Sequence, residues 1–199
     1  MRFQDIKIDM QRLLEFDKSL FLLINNSGIE ALDWFWLFLS NTKMAIPIYL
    51  MLIFVLYQKI GLKFTLYALG FVVLLIVCAD QLSNFFKYGT QRLRPCHQEE
   101  LIPQMRLLKS TCGGFYSFFS AHAANNFAVF GFLFLILKSK TKKWIYLLLL
   151  WAFLVAFSRI MIGVHFPLDV LVGSLVGIFF AYVFYKIFDR LFSAKLVSR

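Results

Sequence analysis

The chain has 199 residues, of which 60% are hydrophobic, 19% are aromatic and only 16% are charged, against about a quarter charged in ordinary soluble domains. That balance excludes a water-soluble globular protein and makes the bilayer the main solvent. The net charge of +10 does not point to nucleic acid, because the basic residues fall into short loops between apolar runs instead of forming one stripe.

In chain order, no removable signal peptide is expected, since a basic start, an apolar core and a small-residue cleavage site do not follow one another at the N-terminus. Residues 19–40, "SLFLLINNSGIEALDWFWLFLS", are hydrophobic at both ends but broken by Asn25, Asn26, Gly28, Glu30 and Asp33. They read as helices lying in the interface, with Trp34 and Trp36 as headgroup anchors, a sixth span being the alternative. Five runs, 44–58, 64–86, 118–137, 144–162 and 167–185, approach the length a tilted helix needs to cross hydrocarbon. The first contains Pro47 and is short. The expectation is an all-α integral membrane protein: a bundle of five transmembrane helices, or six, with N-terminal interfacial helices. One domain, 1–199, comprises an interfacial region (1–40), a transmembrane bundle (44–185) and an outer loop (87–117).

Lys59 and Lys63 follow the first span, Lys138, Lys140, Lys142 and Lys143 the third, and Lys186, Arg190, Lys195 and Arg199 the fifth. Short cytoplasmic loops collect Lys and Arg, so that side is cytoplasmic. Residues 87–117 and 159–166 then lie outside. The outer loop nevertheless carries Lys87, Arg92, Arg94, Arg106 and Lys109 against Glu99 and Glu100. Such an excess reads either as an anion site for a phosphate-bearing ligand or as a surface for anionic headgroups.

A helix beginning around Ser120 would aim free N–H groups and the positive end of its dipole outward, which suits a phosphate oxygen. His122 falls in its first turn, where a lone histidine is more often a structural hydrogen-bonder. Asn125 and Asn126 lie deeper and are expected to bond to neighbouring helices. In "SRIMIGVHFPLDV", 158–170, Arg159 ends the fourth span, Gly163 lets the chain turn and Pro167 suits the first position of the fifth helix. Asp169 can then reach back to His165, fix its tautomer and stabilise positive charge on the ring, making His165 a candidate nucleophile. The alternative is an interfacial histidine beside an aspartate that caps the helix. Asp80, Asn84 and Lys87 share one helical face, so Asp80 either neutralises a basic residue of the site from below or forms a buried pair between helices. Cys96 and Cys112 share the outer loop, as a disulfide if the outside is oxidising or as two thiols. Cys78 lies within a span.

Together these segments resemble the type 2 phosphatidic acid phosphatase and vanadium haloperoxidase superfamily. Its first motif, Lys, six residues, then Arg-Pro, stands here as "KYGTQRLRP", Lys87 to Pro95; its third stands intact as "SRIMIGVHFPLD", Ser158 to Asp169. The second, Pro-Ser-Gly-His, is altered to "FSAH", with Phe119 for the proline and Ala121 for the glycine. The resemblance spans residues 80–185 and implies a membrane phosphatase that uses no metal ion and no cofactor. It implies that Lys87, Arg94 and Arg159 bind the nonbridging phosphate oxygens, with the Ser120 hydroxyl and N–H groups near Ala121 and His122. It implies that His165 attacks phosphorus, Asp169 orients it, and His122 protonates the leaving oxygen.

The expected substrate is a lipid phosphate or diphosphate at the outer face of a bacterial inner membrane. Undecaprenyl diphosphate ranks first and lipid A 1-phosphate second, followed by phosphatidylglycerophosphate and phosphatidate. A reading of another class is a noncatalytic lipid-binding protein on the same scaffold. Membrane lipids are the expected surroundings and nucleic acid is not a partner. Gly173 and Gly177 form a small-xxx-small pair that would serve a homodimer or packing within one chain.

Overall fold

The structure, a computed structural model, describes residues 3–197. Six α-helices follow one another: α1 (Phe3–Asn26), α2 (Asp33–Ser40), α3 (Ile46–Thr90), α4 (Ala121–Leu137), α5 (Leu147–Met161) and α6 (Pro167–Val197). Among the described residues extended pairing is limited to one isolated antiparallel bridge, Leu93 to Tyr116.

Two of the expected spans, 44–58 and 64–86, are arms of the single element α3. Pro47 sits at its start, where a missing N–H is harmless. Gly61 interrupts it with φ +77° and ψ 164°, a conformation that a side chain at this position would resist. Both arms border one apolar cavity, with Tyr49, Leu52 and Leu56 from the first and Leu69, Val72 and Ile76 from the second. The second arm runs on to Thr90, so Lys87 stands in the last turn of a helix and not at the head of the outer loop. At the other end of the chain α6 extends well beyond residue 185.

Residues 19–40 do not make one continuous helix. They are the end of α1, a turn and the eight-residue α2. Three stretches, 42–90, 143–161 and 167–192, are long and apolar enough to cross a membrane. The shorter α4 is enclosed by these neighbours, with Ala123, Ala124, Ala128, Phe130, Phe132 and Leu137 fully buried. Phe54, Leu74, Leu175 and Phe179 stay exposed on the outside, as side chains facing lipid do. This is an integral-membrane helical bundle.

Helices in lipid associate through close packing of small residues. Here Gly173 and Gly177 of α6 lie against the carbonyl oxygens of Ser120 and Ala124 of α4, which a methyl group at either glycine would overlap. The small-xxx-small pair therefore packs within one chain.

The second arm of α3 and helices α4, α5 and α6 run in alternating directions. Lys87, Ser120, Arg159 and Asp169 consequently meet at one end of the bundle, while Lys138 to Lys143 join α4 to α5 at the other. Helices α1 and α2 cover the first end. The Asn25 side-chain N–H groups donate to the carbonyls of Arg106, Ile160 and Met161 at 3.0–3.1 Å, and its oxygen accepts the Arg106 N–H at 2.7 Å. Trp34 is exposed as expected of an anchor, but Trp36 turns inward against Phe157 and the cluster around Ile162 and Val164.

Candidate active site

His165 lies in the turn between α5 and α6. Gly163, at φ +83°, makes that turn possible, and a Cβ there would also press on Met105 and the Arg106 carbonyl. The imidazole is 2% exposed, and its Nδ1 stands 3.5 Å from Asp169 Oδ2. That separation is longer than a hydrogen bond, so the attraction is electrostatic. Asp169 also caps its own helix, because the same Oδ2 accepts the Phe166 N–H at 3.0 Å. Asp169 thus caps its own helix while standing beside the imidazole. Burial, then Arg94, Arg159 and Lys87, push the His165 pKa well below 6.5 and keep the ring neutral, with a lone pair available.

The cations that act on His165 come from three elements. Arg159 ends α5, 5% exposed, donating from one terminal nitrogen to Ser40 Oγ at 3.2 Å, while its Nε is buried without a hydrogen-bond partner among the described residues. Arg94 is braced by backbone, its Nε donating to the Tyr116 carbonyl at 3.2 Å and a terminal N–H to the Cys112 carbonyl at 2.8 Å. The Cys96–Cys112 disulfide, with Cα atoms 6.1 Å apart, ties down the residue that carries the second of these carbonyls. Lys87 approaches from α3 within the field of Arg94, Arg159, Asp80 and Asp169. Burial pushes the Arg94 pKa down, and burial followed by Arg159 and Arg94 does the same to Lys109.

Ser120 is the N-cap of α4, its hydroxyl accepting the Ala123 N–H at 3.4 Å. Its own N–H is committed to the Asp169 carbonyl at 3.0 Å. The N–H groups of Ala121 and His122 come next, at the positive end of the helix. Alanine in the glycine place is accommodated, since Gln91 is the one non-glycine residue with positive φ among those described. Phe119, in the proline place, is buried against Ala79 and Ala124, and its carbonyl accepts from Ser83 Oγ at 3.0 Å. His122 lies in the electrostatic field of Arg159, His165, Lys109 and Arg94. The two imidazoles thus share one end of the bundle with Lys87, Arg94, Arg159, Ser120, Ala121 and Asp169.

The outer loop is less uniform than its composition implies. Arg106 is neutralised by Asp33 at 2.8 Å. Arg92 donates to Asp169 Oδ1 at 2.8 Å and to Asp17 Oδ2 at 2.6 Å. Lys87, Arg94 and Lys109 remain with Arg159 as the convergent cations. Asp80 accepts from Asn125 at 2.8 Å, joining α3 to α4, but Asn126 bonds back to the His122 carbonyl of its own helix and, among the described residues, not to a neighbour. The sequence alone points to no role for Asp17 or Ser40, and to Asn25 only as a break in an apolar run, because their contacts bridge large separations in the chain. No group of three or more His, Cys, Asp or Glu residues gathers as a metal-binding set among the described residues.

A family model for the PAP2 superfamily matches residues 65–193. The chain belongs to the PAP2 superfamily. It is 32% identical over 182 residues to a lipid A 4'-phosphatase of Porphyromonas gingivalis, covering 90% of this chain and 75% of that one. It is 35% identical over 167 residues to an undecaprenyl-diphosphatase of Sulfolobus acidocaldarius, covering 81% and 73%. Among solved structures, Aquifex aeolicus LpxE superimposes with a TM-score of 0.62 at 31% identity, covering 84% of this chain and 93% of that one. This PAP2 member is an integral-membrane lipid phosphatase, and both imidazoles fall inside the matched segment.

Proposed function

We propose that the protein hydrolyses a phosphomonoester on a lipid A-type glycolipid at the outer face of a bacterial inner membrane, through a phosphohistidine and without a metal ion. The observation that carries this reading is the convergence of a buried, neutral His165 and a second imidazole with cations drawn from three elements. Phosphoryl transfer asks mainly for positioning and for neutralisation of charge on the equatorial oxygens. Lys87, Arg94 and Arg159 take those oxygens, together with the Ala121 and His122 N–H groups; Ser120, through its cap, holds that helix end in place.

His165 Nε2 attacks phosphorus in line. The P–N bond forms as the bond to the lipid oxygen breaks, and that oxygen leaves with the proton of His122. The negative phosphate itself favours a protonated His122, and Asp169 stabilises the positive charge left on His165. Water then attacks phosphorus and gives its proton to His122, and the P–N bond breaks to release phosphate and restore both rings.

The preference for a lipid A-type monoester over undecaprenyl diphosphate reverses the order expected from the chain's small size and its resemblance to short bacterial members. It is supported by the lipid A 4'-phosphatase relative, which matches more of the chain. The undecaprenyl-diphosphatase relative favours a diphosphate as the second reading. The lysines opposite the site support an outward-facing orientation. The deciding experiment is phosphate release from purified lipid A, undecaprenyl diphosphate and phosphatidate in detergent with excess chelator, comparing wild type with His165→Ala. Turnover of lipid A by the wild type alone is expected. Equal turnover by both proteins would remove the catalytic assignment, and activity only after adding a divalent ion would remove the metal-free route.

A further inference from the structure

A buried charge network lies behind the proposed nucleophile, and one of its members comes from outside the matched family segment. Arg92 is a fork between two carboxylates: one terminal nitrogen donates to Asp169 Oδ1 at 2.8 Å and the other to Asp17 Oδ2 at 2.6 Å. Asp17, on α1, is 3% exposed and Asp169 0%. The second oxygen of Asp17 accepts the Leu168 N–H at 2.8 Å, one residue before Asp169. The guanidinium lies over the Phe166 ring at 4.2 Å, and that ring also meets Phe21 of α1 edge-on at 5.4 Å. The Arg92 carbonyl is itself fixed by the Ser117 N–H at 2.7 Å. Arg92, Asp17 and Phe21 each touch the segment from His165 to Asp169.

We infer that Asp17 and Arg92 are positioning residues for His165: Arg92 locks the Asp169 carboxylate by one oxygen so that the other faces the imidazole, and Asp17 supplies the charge that stops Arg92 from neutralising it. This rests on the reading of His165 as nucleophile. One cation between two carboxylates leaves a net charge of −1 on the triad. Asp169 alone with Arg92 would be a neutral pair, with little left to stabilise the cationic ring of a phosphohistidine. Arginine suits the place because its planar fork fixes both partners at once, which a lysine ammonium cannot do. Helix α1 thereby becomes part of the catalytic apparatus as well as a cover for one end of the bundle.

The test uses full-length protein in detergent, with lipid A as substrate, or undecaprenyl diphosphate if lipid A is not turned over. Asp17→Asn keeps the shape and the acceptor for the Leu168 N–H but removes the charge. It should lower kcat about 10- to 100-fold, the scale on which losing the carboxylate behind a metal-ligating histidine acts, with KM changed less than about twofold and thermal stability close to wild type. In an Asp169→Asn background the same change should cost nothing further, because the charge acts only through Asp169. Arg92→Lys should lower kcat in the same way.

Wild-type kcat in Asp17→Asn would overturn the inference. So would a loss shared by kcat and KM together with a fall in melting temperature, or a full additive loss on top of Asp169→Asn, either of which marks a structural strut. If Asp17→Asn does not fold, Arg92→Lys, which keeps the charge, is judged by the same criteria. His165→Ala is run alongside: full activity there would remove the underlying reading and the inference with it, whereas an inactive His165→Ala beside a fully active Asp17→Asn defeats the inference alone.

Discussion

The two ends of the bundle are both rich in basic residues, and they use them in opposite ways. Lys138, Lys140, Lys142 and Lys143 are exposed, between α4 and α5. At the other end Arg159 is almost completely buried, Arg94 is held by two backbone carbonyls, and Arg92 and Arg106 are matched to aspartates. A charge that sets orientation needs only to be on the right side of the membrane. A charge that does chemistry must be held where water cannot screen it, and the fold shows the cost in dedicated partners.

That contrast can be broken most forcefully at His165. His165→Ala should reduce phosphate release by about 10^4-fold or more, the scale seen when a covalent nucleophile is removed. Arg159→Met, which keeps the stem and loses the guanidinium, should cost about 10^2- to 10^3-fold in kcat, as the loss of one oxyanion donor does. Substrate-concentration series for both variants check these values.

The disulfide offers a graded test. Cys96 and Cys112 are separated by 16 residues, and a loop of that size is worth about 3 kcal/mol in the chain-entropy model. A Cys96→Ser/Cys112→Ser protein should melt lower and lose kcat/KM, because the Cys112 carbonyl that braces Arg94 is no longer tied. Unchanged kcat/KM would separate Arg94 from the loop. A smaller effect concerns pH. His165 carries a pKa below 6.5, so it becomes protonated and non-nucleophilic only under more acidic conditions. The acid limb of kcat/KM, corrected for ionisation of the substrate, should therefore fall below pH 6.5. A limb above it would mean that the ring is not shielded as the structure shows. The smallest effect belongs to the opposite end, where Lys140→Gln/Lys142→Gln should change kcat/KM by less than about twofold.

The ordered motifs and the hydropathy of the runs made the bundle and the convergence of its polar residues legible in the sequence. Those features are local: spacing places Arg159, His165 and Asp169 on one turn, and capping chemistry places Ser120. What stayed hidden is long-range. Asp17 and Arg92 are 75 residues apart, and Asn25 reaches Ile160 across 135. Neither pairing leaves a periodic trace. A count of loop charges could not separate Arg106, spent on Asp33, from Lys109, which faces the site. The reversal at Gly61 did have a signal, a glycine between two lysine-flanked apolar runs, but the separate spans 44–58 and 64–86 masked that they form one hinged element.

The central claim is that the phosphoryl group passes through His165. Acid-free rapid quench of a turnover with radiolabelled substrate, followed by mapping of the labelled peptide, tests it directly. The account predicts an acid-labile, base-stable phosphate on the peptide containing His165 and none in His165→Ala. Label on another residue, or full turnover by His165→Ala, would contradict it.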